Sequence, residues 1–180
     1  MSESSDIRFP LWQLVSRTSH IMLRARQREL NEYGITRGYS SVLSTVLRLG
    51  EQATLSNISQ QLVREVHSMS AQLTRMEKEG LINKVKDPKK KNLMRIVVTD
   101  KGYELYTKGM ERTTINSIMS TLTQEEQHEL WVIMAKIREK SMIELGKENQ
   151  NLYPPSDPSE LPPPLEQEGT KENVLLNKPV

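Results

Sequence analysis

The chain has 180 residues, of which 27% are charged and 36% hydrophobic, so its length suits one main domain with a single core. It has no cysteine, which excludes disulfides, thiolate nucleophiles and thiolate zinc sites. The longest apolar run, 130–135, is far shorter than the about 20 residues that a membrane helix needs. The first ten residues do not resemble a secretory signal, so we expect a cytoplasmic protein without a membrane partner.

Charge and proline are unevenly distributed along the chain. Residues 147–180 contain three basic and six acidic residues, which leaves 22 basic and 17 acidic residues in 1–146. Seven of the nine prolines also lie in that terminal stretch. We therefore predict a domain over 1–146 that suits a polyanionic partner, followed by a proline-rich, acidic, disordered or extended tail. Three roles for the tail stay open, namely a solvated end, a ligand for proline-binding domains, or a segment that packs on its own domain or a neighbour.

Helical periodicity dominates the first half of the chain. Apolar residues at spacings of three and four predict one helix from Phe9 to Glu32 and a second over 39–49, which ends at Gly50. Thr54 is placed to cap a short third helix. A fourth helix is predicted from about Val66 to Lys78, and its inward residues would be Val66, Met69, Leu73 and Met76.

The pattern changes after Gly80. Two β-branched stretches around a lysine-rich turn predict a hairpin over about 82–99. Thr99 is expected to cap one helical tract that runs to Leu122, and Thr123 with Glu126 forms a capping box for the last helix. The apolar stripe that we predict to be buried on the last helix consists of Leu130, Ile133, Met134, Ile137 and Leu145.

Short helices followed by a basic hairpin are typical of a winged helix-turn-helix, so the predicted class is mainly α with a small β-hairpin wing. The fourth helix would enter the major groove of double-stranded DNA. Its predicted outward residues are His67, Ser68, Ala71, Gln72 and Arg75. Glutamine can pair with adenine and arginine with guanine.

The hairpin concentrates positive charge. Between Lys84 and Arg95 the sequence has six basic residues and one acidic residue, Asp87. A lysine-rich turn of this kind can be merely a soluble loop, but its position directly after the fourth helix favours a wing that contacts DNA phosphates. The predicted wing contacts are Lys86, Lys89, Lys90, Lys91 and Arg95.

The segment SMSAQLTRMEKEGLINKVKDPKKKNLMRIVVTDKG, 68–102, resembles the multiple-antibiotic-resistance regulator (MarR) family of bacterial transcription factors. It is similar to that family's recognition helix, E-x-x-G-L motif, D-P wing and closing T-x-x-G. The preceding TLSNISQQL, 54–62, resembles the first helix of the family's helix-turn-helix, and flanking helices extend the resemblance over about 8–146.

The wing departs from the family pattern. Where the family usually has D-P-x-D-R-R, this chain has Asp87-Pro88-Lys89-Lys90-Lys91-Asn92. An arginine–aspartate clamp at the wing tip is therefore not implied, although Arg95 could substitute for the wing arginine. In the recognition helix Ala71 stands where a basic residue is frequent, so base reading would depend on Gln72 and its outward neighbours.

The resemblance implies a homodimer, held by the terminal helices, that binds a palindromic operator as a repressor and is released by a small aromatic effector. The alternative for the terminal apolar stripes is that they pack inside one chain. Residues of the first two helices that could face an effector crevice are Trp12, Arg17, His20 and Tyr39.

Two other functional classes are alternatives to DNA binding. The three histidines lie on separate predicted helices, and the sequence has no HExxH, glycine-rich phosphate loop or G-x-S-x-G, so we predict no enzyme activity, metal or cofactor. A winged-helix module that binds a partner regulator through its proline-rich tail is the second alternative. Salt separates it from DNA binding, because phosphate contacts weaken steeply as salt rises.

Overall fold

The computed structural model describes residues 6–88, 90, 92–148 and 150–162. These residues form α-helices and one antiparallel two-stranded hairpin, which confirms the predicted fold class. The elements are α1 Arg8–Glu32, α2 Arg37–Leu49, α3 Leu55–Gln61, α4 Val66–Lys78, β1 Ile82–Lys86, β2 Met94–Val98, α5 Asp100–Lys108, α6 Thr113–Met119 and α7 Gln124–Glu144. Within the described ranges, no helix combines the length and apolar character that spanning a membrane requires.

Threonine side chains cap the N-termini of several of these helices. Thr54 and Thr99 accept hydrogen bonds from the backbone N–H groups of Asn57 and Gly102, at 3.2 and 3.1 Å. Thr123 and Glu126 form the predicted capping box. Each cap satisfies an amide that the helix itself leaves without a partner, so these helix starts are fixed by local sequence.

The core lies between α2, α3, α4, α5 and the hairpin. Its most deeply buried side chains are Val42, Leu43, Ile58, Met69, Leu73, Met76 and Ile82. Gly102 lets the start of α5 pack directly on the turn before β1, because a Cβ at this position would lie 2.0 Å from the carbonyl oxygen of Leu81. The wing is thereby joined closely to the helical core.

The predicted single tract from Thr99 to Leu122 is wrong, because the chain breaks into α5 and α6. Arg112 adopts a left-handed conformation with φ of 52° between them. At the break, the guanidinium of Arg26 in α1 donates to the carbonyl of Gly109, and the N–H of Thr114 donates to Glu29 at 3.3 Å. Polar groups from α1 therefore satisfy the backbone that the interrupted helix leaves open.

Both terminal helices carry large apolar side chains that the single chain does not cover. The α7 stripe predicted to be buried, Leu130, Ile133, Met134, Ile137 and Leu145, is 38–60% exposed. On α1 the residues Phe9, Leu11, Trp12, Leu14 and Ile21 are 49–66% exposed. The single chain therefore does not bury the predicted stripe, and the alternative that these stripes pack inside one chain is wrong.

After α7 the chain turns back. Residues 150–162 contain bends and a short 3-10 turn at Pro158–Glu160, and they contact α7, α2 and α3. The remainder of the predicted tail, 163–180, lies outside the described residues.

Candidate nucleic-acid interface

The outward face of α4 carries most of the side chains expected there. His67, Ser68, Ala71 and Arg75 are exposed. Thr74 and Lys78 extend the same face, since they follow Ala71 by three and seven residues, close to one and two helical turns. The helical spacing could have identified both. This surface therefore combines hydroxyl, imidazole and cationic groups that can contact base edges or phosphates.

Gln72 does not lie on that face, and its predicted outward position is wrong. The residue is only 7% exposed, and its Oε1 accepts a hydrogen bond from Arg64 Nη1 at 2.5 Å. Its Nε2 lies against Gly38 of α2 and has no hydrogen-bond partner among the described residues. The first turn of α2 covers this edge of α4, a contact that helical periodicity alone does not show.

The prediction for Val66 is also wrong, but in the opposite direction. It was predicted to face inward, but it is 51% exposed because it is the first residue of α4 and lies beyond the packed row. Met69, Leu73 and Met76 form that row, as predicted.

The wing lies beside the outward face of α4. Lys84 Nζ on β1 lies 3.3 Å from Thr74 Oγ1 and 2.7 Å from the carboxylate of Glu77, both on α4. Register pairs Lys86 with Met94 at the turn end of the hairpin. These contacts fix the direction in which the wing leaves the recognition helix.

Arg95 is not a free wing cation, so its predicted role as a DNA contact needs correction. Its side chain is 12% exposed, with Nε 2.5 Å from Asp87 Oδ2 and Nη1 3.6 Å from Glu51 Oε2. Asp87, which is also buried, accepts the N–H of Lys90 at 2.8 Å. An arginine–aspartate clamp is thus present in this wing, and its arginine comes from β2 rather than from the tip.

The remaining predicted wing contacts are lysines. Lys86 and Lys90 are exposed. Lys89 and Lys91 lie outside the described residues. Point charges at the end of the wing suit phosphate contacts, since an ammonium group lacks the fork that arginine presents to a base.

The four residues predicted to line an effector crevice do not form one pocket in the single chain. Trp12 is exposed and stacks on Phe9 with 5.8 Å between ring centroids, and Arg17 and His20 are exposed on α1. The Tyr39 hydroxyl donates to Glu79 at 2.8 Å, and burial together with that carboxylate raises the pKa of Tyr39.

Two cavities beside α1 and α2 are lined by residues other than these four. The larger, about 250 Å³, lies between α1, α2 and the end of α5, and its lining includes Leu23, Arg26, Ser41 and Tyr106. The smaller, about 190 Å³, includes Arg37 and Arg64. None of the four predicted residues lines either cavity. No group of three or more metal-ligating side chains occurs in the part of the chain that the structure describes.

Comparison with known proteins identifies the family. The family described as winged helix DNA-binding domain matches residues 36–102. The organohalide-sensing transcriptional regulator RdhR, solved with 2,4-dichlorophenol, is 30% identical to this chain, covers 84% of it and 91% of its own length, and has a TM-score of 0.73. The chain belongs to the MarR family of DNA-binding transcription regulators.

More distant solved structures share the MarR fold. A mutant MarR from E. coli in complex with operator DNA is 17% identical, with coverage of 76% of this chain and 99% of its own and a TM-score of 0.67. CouR from Rhodococcus jostii, bound to p-coumaroyl-CoA, is 18% identical, with coverage of 79% and 93% and a TM-score of 0.61. No curated protein matches the chain. The MarR resemblance is thus confirmed, and this family and fold are those of DNA-binding regulators, which are not enzymes.

Proposed function

We propose that this MarR-family protein is a homodimeric, sequence-specific repressor that binds a palindromic operator and is released by a small aromatic effector. The observation that carries the DNA-binding part is the contact between Lys84 of the wing and Thr74 of α4, because it places the wing beside the outward face of the recognition helix. One protomer then presents a single continuous surface to a half-site.

The charge of this surface supports phosphate binding. Lys78, Lys86 and Lys90 are exposed, and none of them is paired with a carboxylate among the described residues. Neutralising phosphates with such cations releases condensed counterions, which supplies affinity for any DNA sequence. Arg75 and His67 lie on α4, where side chains can reach base edges in the major groove.

The uncovered apolar stripes support the homodimer. Long helices with exposed Trp12, Leu14, Ile133 and Ile137 would leave an extended apolar surface in water if the chain stayed monomeric. A second copy related by a two-fold axis would cover the same stripes on both protomers. Its recognition helix would lie about 34 Å from the first, one turn of DNA away.

The cavity of about 250 Å³ between α1, α2 and α5 is the effector site that we propose in place of the four residues predicted from the sequence. RdhR and CouR are both seen with aromatic ligands, dichlorophenol and p-coumaroyl-CoA, which supports an aromatic effector here. The cavity lies where the terminal helix α1 meets the helix-turn-helix, so a ligand there could favour a dimer whose recognition helices no longer match the operator.

Selection of binding sites from a random duplex pool at about 0.15 M salt tests the proposal. We expect an inverted repeat with half-sites about 10 base pairs apart. A matched selection with Lys86→Glu and Lys90→Glu together should enrich nothing. If the wild-type chain enriches no inverted repeat at this salt, sequence-specific dimeric binding is refuted. If binding is found only to a protein partner and does not change with salt, the interaction-module alternative replaces it.

A further inference from the structure

Residues 150–162, which we call the strap, are attached to the helix-turn-helix by a glutamine. Gln61, the last residue of α3, donates from Nε2 to the carbonyl oxygen of Asn151 at 2.5 Å. Its Oε1 accepts the N–H of Tyr153 at 3.1 Å. One side chain of the DNA-binding unit therefore holds the strap backbone at two points.

Arg48 of α2 reinforces this attachment. Its guanidinium carbon lies 4.2 Å from the centroid of the Tyr153 ring, and its Nη1 donates to Gln61 Oε1 at 3.2 Å. The side chain is thus shared between the strap and α3. A cation–π contact of a partly buried arginine adds to the two hydrogen bonds.

The other side of the strap is attached to α7. Arg138 Nη1 donates to the carbonyl oxygen of Pro154 at 2.5 Å, and its Nη2 donates to Ser156 Oγ at 3.0 Å. Trp131 Nε1 donates to the carbonyl oxygen of Ser156 at 2.9 Å. The strap segment 151–156 therefore contacts both the DNA-binding unit and the terminal helix.

Other direct contacts between those two parts are few, and one of them is Lys147 Nζ, which lies 3.9 Å from Glu65 Oε1 at the start of α4. Packing between α7 and the helices α2 and α3 is sparse. An open cavity of about 510 Å³ lies between the strap, α2 and α7, and its lining includes Arg48, Arg138, Met142 and Tyr153. The strap therefore does not pack continuously on these helices. The strap is therefore held at a few polar points, and single substitutions can detach it without removing core side chains.

We infer that the strap sets the position of the helix-turn-helix relative to α7, and that Gln61 and Tyr153 are positioning residues for operator binding. This inference rests on the proposed homodimer, in which α7 forms part of the interface. The angle between α7 and each DNA-binding unit then determines the separation of the two recognition helices. The apparent affinity for the operator is proportional to the fraction of dimers whose recognition helices have the correct separation. Losing the restraint lowers that fraction and so weakens binding without removing any DNA contact.

The experiment compares three altered chains with the full chain on inverted repeats whose half-sites are about 8 to 12 base pairs apart. The first variant is Tyr153→Ala, the second ends at Glu148, and the control ends at Pro162 and keeps the strap. Tyr153→Ala and the chain ending at Glu148 should bind the preferred spacing about tenfold more weakly and show a flatter spacing profile. The slope of affinity against salt should not change, because no phosphate-binding cation is altered.

Equal spacing profiles for the full chain and both strap variants would overturn the inference. So would a loss that the control chain ending at Pro162 shows to the same extent, since the effect would then belong to 163–180. A full chain that prefers no spacing at all refutes the proposed dimeric function instead, which keeps the two failures distinct. Circular dichroism and sedimentation of each variant confirm that it is folded and dimeric before the profiles are compared.

Discussion

Arg95 and Asp87 form a buried ion pair where the strands of the wing meet its turn, with 2.5 Å between Arg95 Nε and Asp87 Oδ2. Their side chains are 12% and 4% exposed. Because Asp87 also accepts the N–H of Lys90, one carboxylate connects β2 to the turn of the hairpin. The direction of the wing therefore depends on a contact between two largely buried side chains.

Substituting Arg95→Met should destabilise the protein by about 3 kcal/mol, because it removes the guanidinium that pairs with the buried carboxylate of Asp87. Urea unfolding followed by circular dichroism measures this. Lys140→Met is the matched control, since it breaks an ion pair with Glu144 whose side chains are 69% and 68% exposed, and it should cost at most about 0.5 kcal/mol. Equal unfolding midpoints for the two variants would show that the buried pair does not stabilise the wing.

Neutralising the exposed wing lysines should reduce the salt dependence of DNA binding. Lys86→Gln and Lys90→Gln are each expected to lower the slope of log affinity against log salt by about one, since each removes one phosphate contact. Fluorescence anisotropy with a labelled operator duplex at several salt concentrations measures the slope. Lys108→Gln, at the end of α5, removes the same charge away from this surface and should leave the slope unchanged. If all three variants keep the salt slope of the unaltered chain, the assignment of these lysines as phosphate contacts is wrong.

Charge placed on the apolar stripes should separate the protomers. Leu14→Lys and Ile133→Lys each put an ammonium group where the proposed partner would exclude water, which costs several kcal/mol without a counter-charge. Sedimentation velocity should show monomers, and operator affinity should fall with the loss of the second half-site. Glu104→Lys, at an exposed position of α5 outside the terminal helices, is the control and should remain dimeric. Dimers of unchanged affinity in both stripe variants would place the interface elsewhere.

Protonation of Glu29 should lower the stability of the folded protein at acidic pH. Burial raises the pKa of Glu29, but the Arg26 guanidinium and the N–H of Thr114 outweigh it and hold that pKa below its ordinary value of 4.5. A depressed folded-state pKa gives stability that is fully present above about pH 4.5 and is lost as the pH falls through the folded-state value. Urea unfolding between about pH 3 and 6 should therefore show a decline that Glu29→Gln reduces. An identical decline in that variant would assign the acid sensitivity to other carboxylates.

Local sequence predicted the elements of this protein well. The bounds of α4, the hairpin and the capping roles of Thr54, Thr99 and Thr123 follow from side-chain spacing and from hydrogen bonds between residues two or three positions apart. The family resemblance, carried by 54–102, also came from residues that are close in sequence. Such features need no knowledge of how distant parts of the chain approach one another.

Features that depend on distant contacts were decided by the tertiary structure. Gln72 is buried because the first turn of α2 covers one edge of α4, and the helix between Thr99 and Leu122 breaks where α1 supplies Arg26 and Glu29. Arg95 is largely buried because Asp87 and Glu51 lie beside it. The sequence by itself determined the order of the elements and the chemistry of the winged domain. Only tertiary packing decided which side chains stay free to bind, because a partner far away in sequence determines whether a polar group faces water or another residue.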